Sequence, residues 1–143
     1  MKTLVISPTY NEKKNISELI KKISQASNSI DILIIDDNSP DGTGKIVEDY
    51  LKEVKQKIGY IIHIIHRKTK SGLSSAVLRG IEYATGDTIV VMDSDFSHPP
   101  KIIPRLIEEI KRSGCDIAIA SRYAAGGAVK GWTLKRKLLS STA

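Results

Sequence analysis

Residues 88–114 read TIVVMDSDFSHPPKIIPRLIEEIKRSG. The stretch runs from an apolar segment (88–93) through two aspartates and a pair of prolines into apolar residues at helical spacing, and stops at Gly114. The apolar segment is short and does not alternate with polar residues, which suits a strand covered on both faces. Pro99 and Pro100 fit a helical first turn and Gly114 a helical stop. A buried strand feeding a helix is half of a βαβ unit, so the next question is whether the rest of the chain repeats it.

It does. "TLVIS" (3–7), closed by Pro8, precedes Ile16, Leu19, Ile20 and Ile23 at helical spacing, with Asn15 and Glu18 placed as a capping pair. "DILIID" (31–36) precedes a second helix marked by Ile46, Val47, Tyr50, Leu51 and Val54 and begun near "PDGTG". "YIIHIIH" (60–66) precedes a third, marked by Leu73, Ala76, Val77, Ile81 and Ala84, with Gly86 as its stop. After the fourth helix, "DIAIAS" (116–121) reads as a fifth strand. Strict alternation of this kind predicts an α/β fold with a doubly wound, mainly parallel sheet. No repeat, linker or low-complexity segment interrupts it, so residues 1–143 read as a single domain.

The composition narrows the class. The chain has 143 residues, 41% of them hydrophobic, enough for one core. Its formal charge of +6 suits an anionic partner or simply a soluble basic surface, since the lysines are dispersed. One cysteine, Cys115, excludes an intrachain disulfide and reads as a small core residue, in keeping with a reducing compartment. No apolar run approaches the ~18–20 residues that span a bilayer. The N-terminus, MKTLVISPTYNE, lacks the pattern of a signal peptide, so the expected location is cytosolic or cytosol-facing.

In open α/β sheets ligands bind beyond the carboxyl ends of the strands. The first strand there meets Tyr10, Asn11 and Glu12, the second Asp36, Asp37 and Asp41, and the fourth Asp93 and Asp95. Cations follow the other two: His66, Arg67 and Lys70 after the third, Arg122 after the fifth. A single loop aspartate is ordinary turn chemistry; acids at three strand ends along one edge are not. Residues i and i+2 of an extended stretch point the same way, so Asp93 and Asp95 present two carboxylates on one side. Two such groups share a hard divalent cation, which relieves their repulsion and neutralises a diphosphate in its remaining positions.

Other phosphate-binding motifs fail on the letters. No G-x-G-x-x-G follows the first strand. "SPDGTGKI" (39–46) has Ser39 and Ile46 where a Walker loop needs Gly and Ser/Thr. A phospho-acceptor receiver domain requires an aspartate ending the third strand, where this chain has His66 and Arg67. His63 and His66 lie in a strand pattern without metal partners, and His98 reads as a turn residue.

Six segments in order, "SPTYNEKKNI", "IIDDNSPDGT", "SGLSSAVLRGIEYATGD", "VVMDSDFSHPP", "ASRY" and "GGAVKGWTLKRKLLS", resemble the signatures of family 2 inverting glycosyltransferases. The nearest resemblance is to the dolichol-phosphate (polyprenol-monophosphate) mannosyltransferases, and it covers nearly the whole chain. It implies the GT-A fold, with Pro8, Tyr10 and Glu12 lining a nucleotide pocket and Asp37 holding the guanosine. It implies that Asp93 and Asp95 bind Mg²⁺ or Mn²⁺ and the donor diphosphate. Arg122 then meets phosphate, and Arg136 and Ser140 lie near the acceptor phosphate and sugar. Ser97 stands where close relatives often carry Gln, and is not taken as a direct metal ligand. The family's catalytic domain continues beyond "KRKLLSSTA" with another basic loop and often membrane-associating segments. The resemblance therefore implies a C-terminally incomplete domain, completed further along the chain or by a membrane subunit.

The implied reaction is transfer of mannose from GDP-mannose to polyprenyl phosphate with inversion. The implied partners are those two substrates and the cytosolic face of an anionic membrane, approached peripherally, with no role for nucleic acid. The alternatives are a related transferase using UDP-glucose or another nucleotide sugar, and a non-catalytic module that binds a nucleotide sugar.

Overall fold

A computed structural model of the chain describes residues 2–27, 29–54, 61–121 and 123–124. The elements alternate as β1 (Thr3–Thr9), α1 (Ile16–Ala26), β2 (Ile30–Asp36), α2 (Thr43–Val54), β3 (Ile62–His66), α3 (Leu73–Tyr83) and β4 (Thr88–Val91). A short 3₁₀ turn (Pro100–Ile102) then leads into α4 (Ile103–Ser113). The strands form one parallel sheet in the order β3-β2-β1-β4.

The two faces of the sheet follow from strand alternation. Val5, Ile32 and Ile34 point to one side, where Ile16, Leu19, Ile20 and Ile23 of α1, Val47 of α2 and Ile103 of α4 enclose them. Leu4, Ile6, Leu33 and Ile35 point to the other, where α3 lies on them through Ala76. Strand order explains the split. The chain winds outward from β1 to β3 and then crosses back past β1 to reach β4, and right-handed crossovers put the returning helix on the opposite face. The winding therefore reverses between β1 and β4, which opens a crevice at their carboxyl ends. At Gly80 a Cβ would meet Ile6 Cγ2 at 2.6 Å and Ile35 Cδ1 at 3.0 Å. That glycine sets how closely α3 approaches the sheet.

The structure corrects four expectations. Residues 116–121 form no strand: Ile117 and Ile119 are 76% and 80% exposed, and a cleft of about 400 Å³ lies between this segment, β4 and α4. Alternating Ile and Ala satisfies a strand pattern, but a strand exists only where its backbone groups find a ladder. Asn15 and Glu18 form no capping pair. The Asn15 amide side chain instead donates backwards to Glu12 Oε2 at 2.8 Å, and the Glu12 carbonyl accepts from the backbone of Asn15 and Ile16. Gly86 does not end α3, which closes at Ala84; a Cβ at Gly86 would strike the Lys2 carbonyl at 2.6 Å, so it serves a close approach to the start of β1. Cys115 is half-buried rather than part of the core. Gly114, at φ 68°, does end α4 in the left-handed conformation.

Candidate functional site at the carboxyl edge of the sheet

Strand register lines up the site. Thr9, Asp36 and His66 are partners across β1, β2 and β3. The backbone ladder then runs one residue further, Asp37 N–H to the Thr9 carbonyl at 3.0 Å and Arg67 N–H to the Asp36 carbonyl at 2.8 Å. Tyr10, Asp37 and Arg67 thus emerge side by side from three adjacent strands.

The two neighbouring aspartates do different work. Asp36 is enclosed by donors: Ser39 Oγ at 2.5 Å, Ser39 N–H at 3.2 Å and Thr9 Oγ1 at 3.4 Å. Asp37 is also buried, with its Oδ1 3.1 Å from Arg67 Nε. The Nε–H is not aimed at that oxygen, so the charges touch without a directed bond. Among the described residues Asp37 Oδ1 is the buried side-chain polar atom left without a hydrogen bond. Arg67 is committed elsewhere as well, donating to Ser75 Oγ at 2.8 Å and the Gly72 carbonyl at 3.5 Å. A buried carboxylate with compensated charge and a vacant acceptor position suits a ligand N–H.

The loops after β1 and β2 are stitched together. Asn11 N–H donates to Ser39 Oγ at 3.0 Å, Glu12 N–H to Thr43 Oγ1 at 2.9 Å and Lys13 N–H to Asp41 Oδ2 at 3.0 Å. Asn11 and Asn38 turn these loops at φ 61° and 57°, a region asparagine tolerates better than most side chains. Pro8, at the end of β1, is half-buried, and Tyr10 after it is 37% exposed, with Lys70 Nζ 3.7 Å from its ring centroid.

Beyond β4 the alternation continues. Ser94 points inward and is buried, hydrogen-bonded to Ser7 Oγ at 2.9 Å and to the Pro8 carbonyl at 3.0 Å. Asp93 and Asp95 on either side of it are exposed. Phe96, at φ 60°, turns the chain back and packs its ring on the core, with Lys22 Nζ 4.7 Å above it. Asp95 accepts from Ser97 N–H at 2.8 Å and Ser97 Oγ at 2.7 Å. The backbone N–H of Ser97 is the main cause that holds the Asp95 carboxyl below its ordinary range, and the Ser97 hydroxyl adds to it.

This donor set fits a hard divalent cation. Two outward carboxylates flank one anchored serine, and no group of three or more His, Cys, Asp or Glu side chains suited to a metal occurs among the described residues. Two protein carboxylates leave the other positions of Mg²⁺ or Mn²⁺ to water and phosphate oxygens.

The structure thus brings Pro8, Tyr10, Glu12, Asp37, Asp93 and Asp95 to one edge, on loops after β1, β2 and β4. Arg122, Arg136 and Ser140 lie outside the described residues. Arg67 and Ser94 are the site residues that sequence reasoning passed over. Arg67 stood in view as a strand-end cation, but only the β2–β3 pairing shows that it meets Asp37. Ser94 is legible from the same alternation that turns its neighbours outward.

The family model described as Glycosyl transferase family 2 matches residues 4–142. A dolichol-phosphate mannosyltransferase of Pyrococcus furiosus is 48% identical over 145 aligned positions, spanning 100% of this chain and 39% of that protein. A polyprenol monophosphomannose synthase of Mycolicibacterium smegmatis is 38% identical, spanning 99% of this chain and 53% of that protein. This chain is therefore about two-fifths to one-half the length of these curated relatives. Among solved structures, the mannosyltransferase PcManGT of Pyrobaculum calidifontis, in complex with GDP-Man and Mn²⁺, superposes with a TM-score of 0.67 at 22% identity over 76% of this chain and 32% of that one. That likeness shows the fold, a mainly parallel GT-A sheet.

Proposed function

Since the chain belongs to glycosyl transferase family 2, we propose that it is the donor-binding part of an enzyme that transfers mannose from GDP-mannose to a polyprenyl phosphate. One observation carries the reading: a vacant buried acceptor at Asp37 and an outward carboxylate pair at Asp93 and Asp95 share one sheet edge, with β1 between them. Two inter-strand spacings put these ends about 10 Å apart, the scale of a nucleoside whose base sits at one end and whose diphosphate sits at the other. The names of the curated relatives supply the sugar and the acceptor class.

In this reading the carboxylate of Asp37 accepts the ring N–H of the base, and the Arg67 guanidinium 3.1 Å away balances its charge and holds it in place. Tyr10 and Pro8 flank the base and ribose, and Glu12, held by Asn15, borders the same pocket. Asp93 and Asp95 would hold Mg²⁺ or Mn²⁺, which would supply positive charge to offset that of the diphosphate. Transfer is a single in-line displacement: an oxygen of the acceptor phosphate bonds to the anomeric carbon as the bond from that carbon to the diphosphate oxygen breaks, and GDP leaves. This inverts the centre. The acceptor needs no strong base, because a phosphate monoester with a second pKa near about 6 is mostly dianionic at neutral pH. Arg122 is assigned to phosphate and Arg136 to the acceptor phosphate, because a guanidinium can pair two hydrogen bonds with phosphate oxygens.

The formal charge of +6 favours approach to an anionic membrane, where a polyprenyl phosphate resides. No helix among the described residues is long and apolar enough to cross a membrane; the association in this reading is peripheral, on the cytosolic face.

The test is a panel of GDP-mannose, UDP-glucose and other nucleotide sugars, scored by metal-dependent thermal stabilisation and by sugar transfer to polyprenyl phosphate. Selective stabilisation by GDP-mannose with transfer is expected. Selective stabilisation by UDP-glucose reassigns the donor, and stabilisation without transfer makes this chain a binding module.

A further inference from the structure

The loop after β3 supplies two cations with opposite fates. Arg67 is fixed by Asp37, Ser75 and the Gly72 carbonyl. Lys70 has no carboxylate in ion-pair range among the described residues; its ammonium rests on the ring of Tyr10, 3.7 Å from the centroid. The backbone between them is held, since Asn38 Nδ2 donates to the Lys68 carbonyl at 3.2 Å and Thr69 and Ser71 bond to one another. A lysine on a fixed loop that, among the described residues, touches only the face of an exposed aromatic is a donor whose position is set and which makes no hydrogen bond to them. An exposed cation–π contact of this kind is weak and is readily exchanged for a bond to an acceptor.

We propose that Lys70 determines base specificity, donating to the ring carbonyl of an oxo base whose neighbouring N–H is accepted by Asp37. The inference rests on the nucleotide site proposed above and deepens it. Tyr10 carries Lys70 on its ring and leaves its strand beside Asp37, so a base against that ring lies next to both the vacant acceptor and the lysine donor. Guanine and uracil place a ring N–H next to a carbonyl, which matches that acceptor and donor. Adenine and cytosine present a bare ring nitrogen next to an amino group, so the carboxylate faces a lone pair and the ammonium faces another donor. A site whose buried polar group is left unpaired rejects the mismatched ligand strongly. Arg67 is held in place by Asp37, Ser75 and the Gly72 carbonyl, whereas the Lys70 ammonium touches only the Tyr10 ring among the described residues.

The experiment is calorimetry of the chain in Mn²⁺ with GDP, ADP, 6-thio-GDP (which keeps the ring N–H but replaces the carbonyl oxygen with a poor acceptor) and pyrophosphate. The wild type binds GDP well above ADP and 6-thio-GDP. Lys70→Met lowers GDP affinity by about tenfold, the size of one lost hydrogen bond to a charged group. It leaves ADP, 6-thio-GDP and pyrophosphate unchanged, and Lys70→Arg restores part of the preference. If Lys70→Met weakens all the nucleotides equally, or none, Lys70 merely covers Tyr10 and the inference is overturned while the nucleotide site stands. If the wild type shows no metal-dependent affinity for GDP, the site itself is wrong, and the role of Lys70 falls with it.

Discussion

Asp37 Oδ1 and Arg67 Nε lie 3.1 Å apart, both side chains nearly buried at 8% and 12% exposure, and yet the oxygen receives no hydrogen bond. The pair balances charge and keeps an acceptor vacant. Arg67→Met removes the balancing charge and leaves a buried carboxylate, and the expected loss is about 3 kcal/mol, the low end for a broken buried pair. Adding Asp37→Asn should recover most of it. Urea unfolding of the two single variants and the double variant measures this; independent, additive losses would mean that the pair is not coupled.

Asp36 and Asp37 should separate stability from binding. Asp36 ties Ser39 and, through it, the Asn11 loop, so Asp36→Ala is expected to cost about 1–3 kcal/mol of folding stability by orphaning buried donors. Asp37→Ala should weaken GDP binding more than Asp36→Ala does at a temperature where both are folded. Thermal melts with parallel GDP titrations decide it, and the reverse order of affinities would move the nucleoside contact to Asp36.

Ser97 should tune the titration of Asp95. The Asp95 carboxyl is held below its ordinary 3.8, first by the backbone N–H of Ser97 and then, against some desolvation, by its hydroxyl. The sign follows from the folded value lying below the unfolded one. The contribution of ionised Asp95 is present above the unfolded value and is lost only as pH falls through the folded one. Ser97→Ala should raise the Asp95 midpoint part of the way to 3.8, because the backbone donor remains. Carbon-detected NMR titration of the carboxyl groups reads this directly; an unmoved midpoint would show that the hydroxyl contributes nothing.

Gly80→Ala tests the seating of α3. Alanine favours a helix by about 1 kcal/mol over glycine, but overpacking a core costs about 1–3 kcal/mol. With Ile6 Cγ2 only 2.6 Å from the added Cβ, overpacking should win, giving net destabilisation of about 1–2 kcal/mol by urea unfolding. Net stabilisation would mean that α3 shifts freely on the sheet.

β2 was legible because a parallel strand covered on both faces must be apolar along its middle, as Ile32, Leu33, Ile34 and Ile35 are; β4 reads the same way in "TIVVM" but is an edge strand, with Ile89 and Val91 left exposed on one face. The same rule misreads "DIAIAS", since composition does not say whether a free edge stands in register beside it. At the site, alternation foretold that Asp93 and Asp95 are both exposed on either side of a buried Ser94, although the strand itself ends at Val91 and Asp95 lies in a turn. It could not tell Asp36 from Asp37, because their difference lies in the donors that the β1 and β2 loops bring to Asp36. The Asp37–Arg67 pair was hidden for a related reason: thirty positions separate the two, and only strand order makes them neighbours. Asn15 illustrates a local limit, since its side chain had two partners in reach and chose Glu12, behind it, over the helix ahead.

The most direct measurement is calorimetric titration of GDP into the wild type and Asp95→Asn, each with Mn²⁺ and with chelator. The expected result is GDP binding by the wild type that weakens by tenfold or more when metal is removed, and binding by Asp95→Asn that is weak and the same in both conditions. If Asp95→Asn binds GDP with the wild type's full dependence on metal, the carboxylate pair is not the diphosphate end of the site and the account of this edge is wrong.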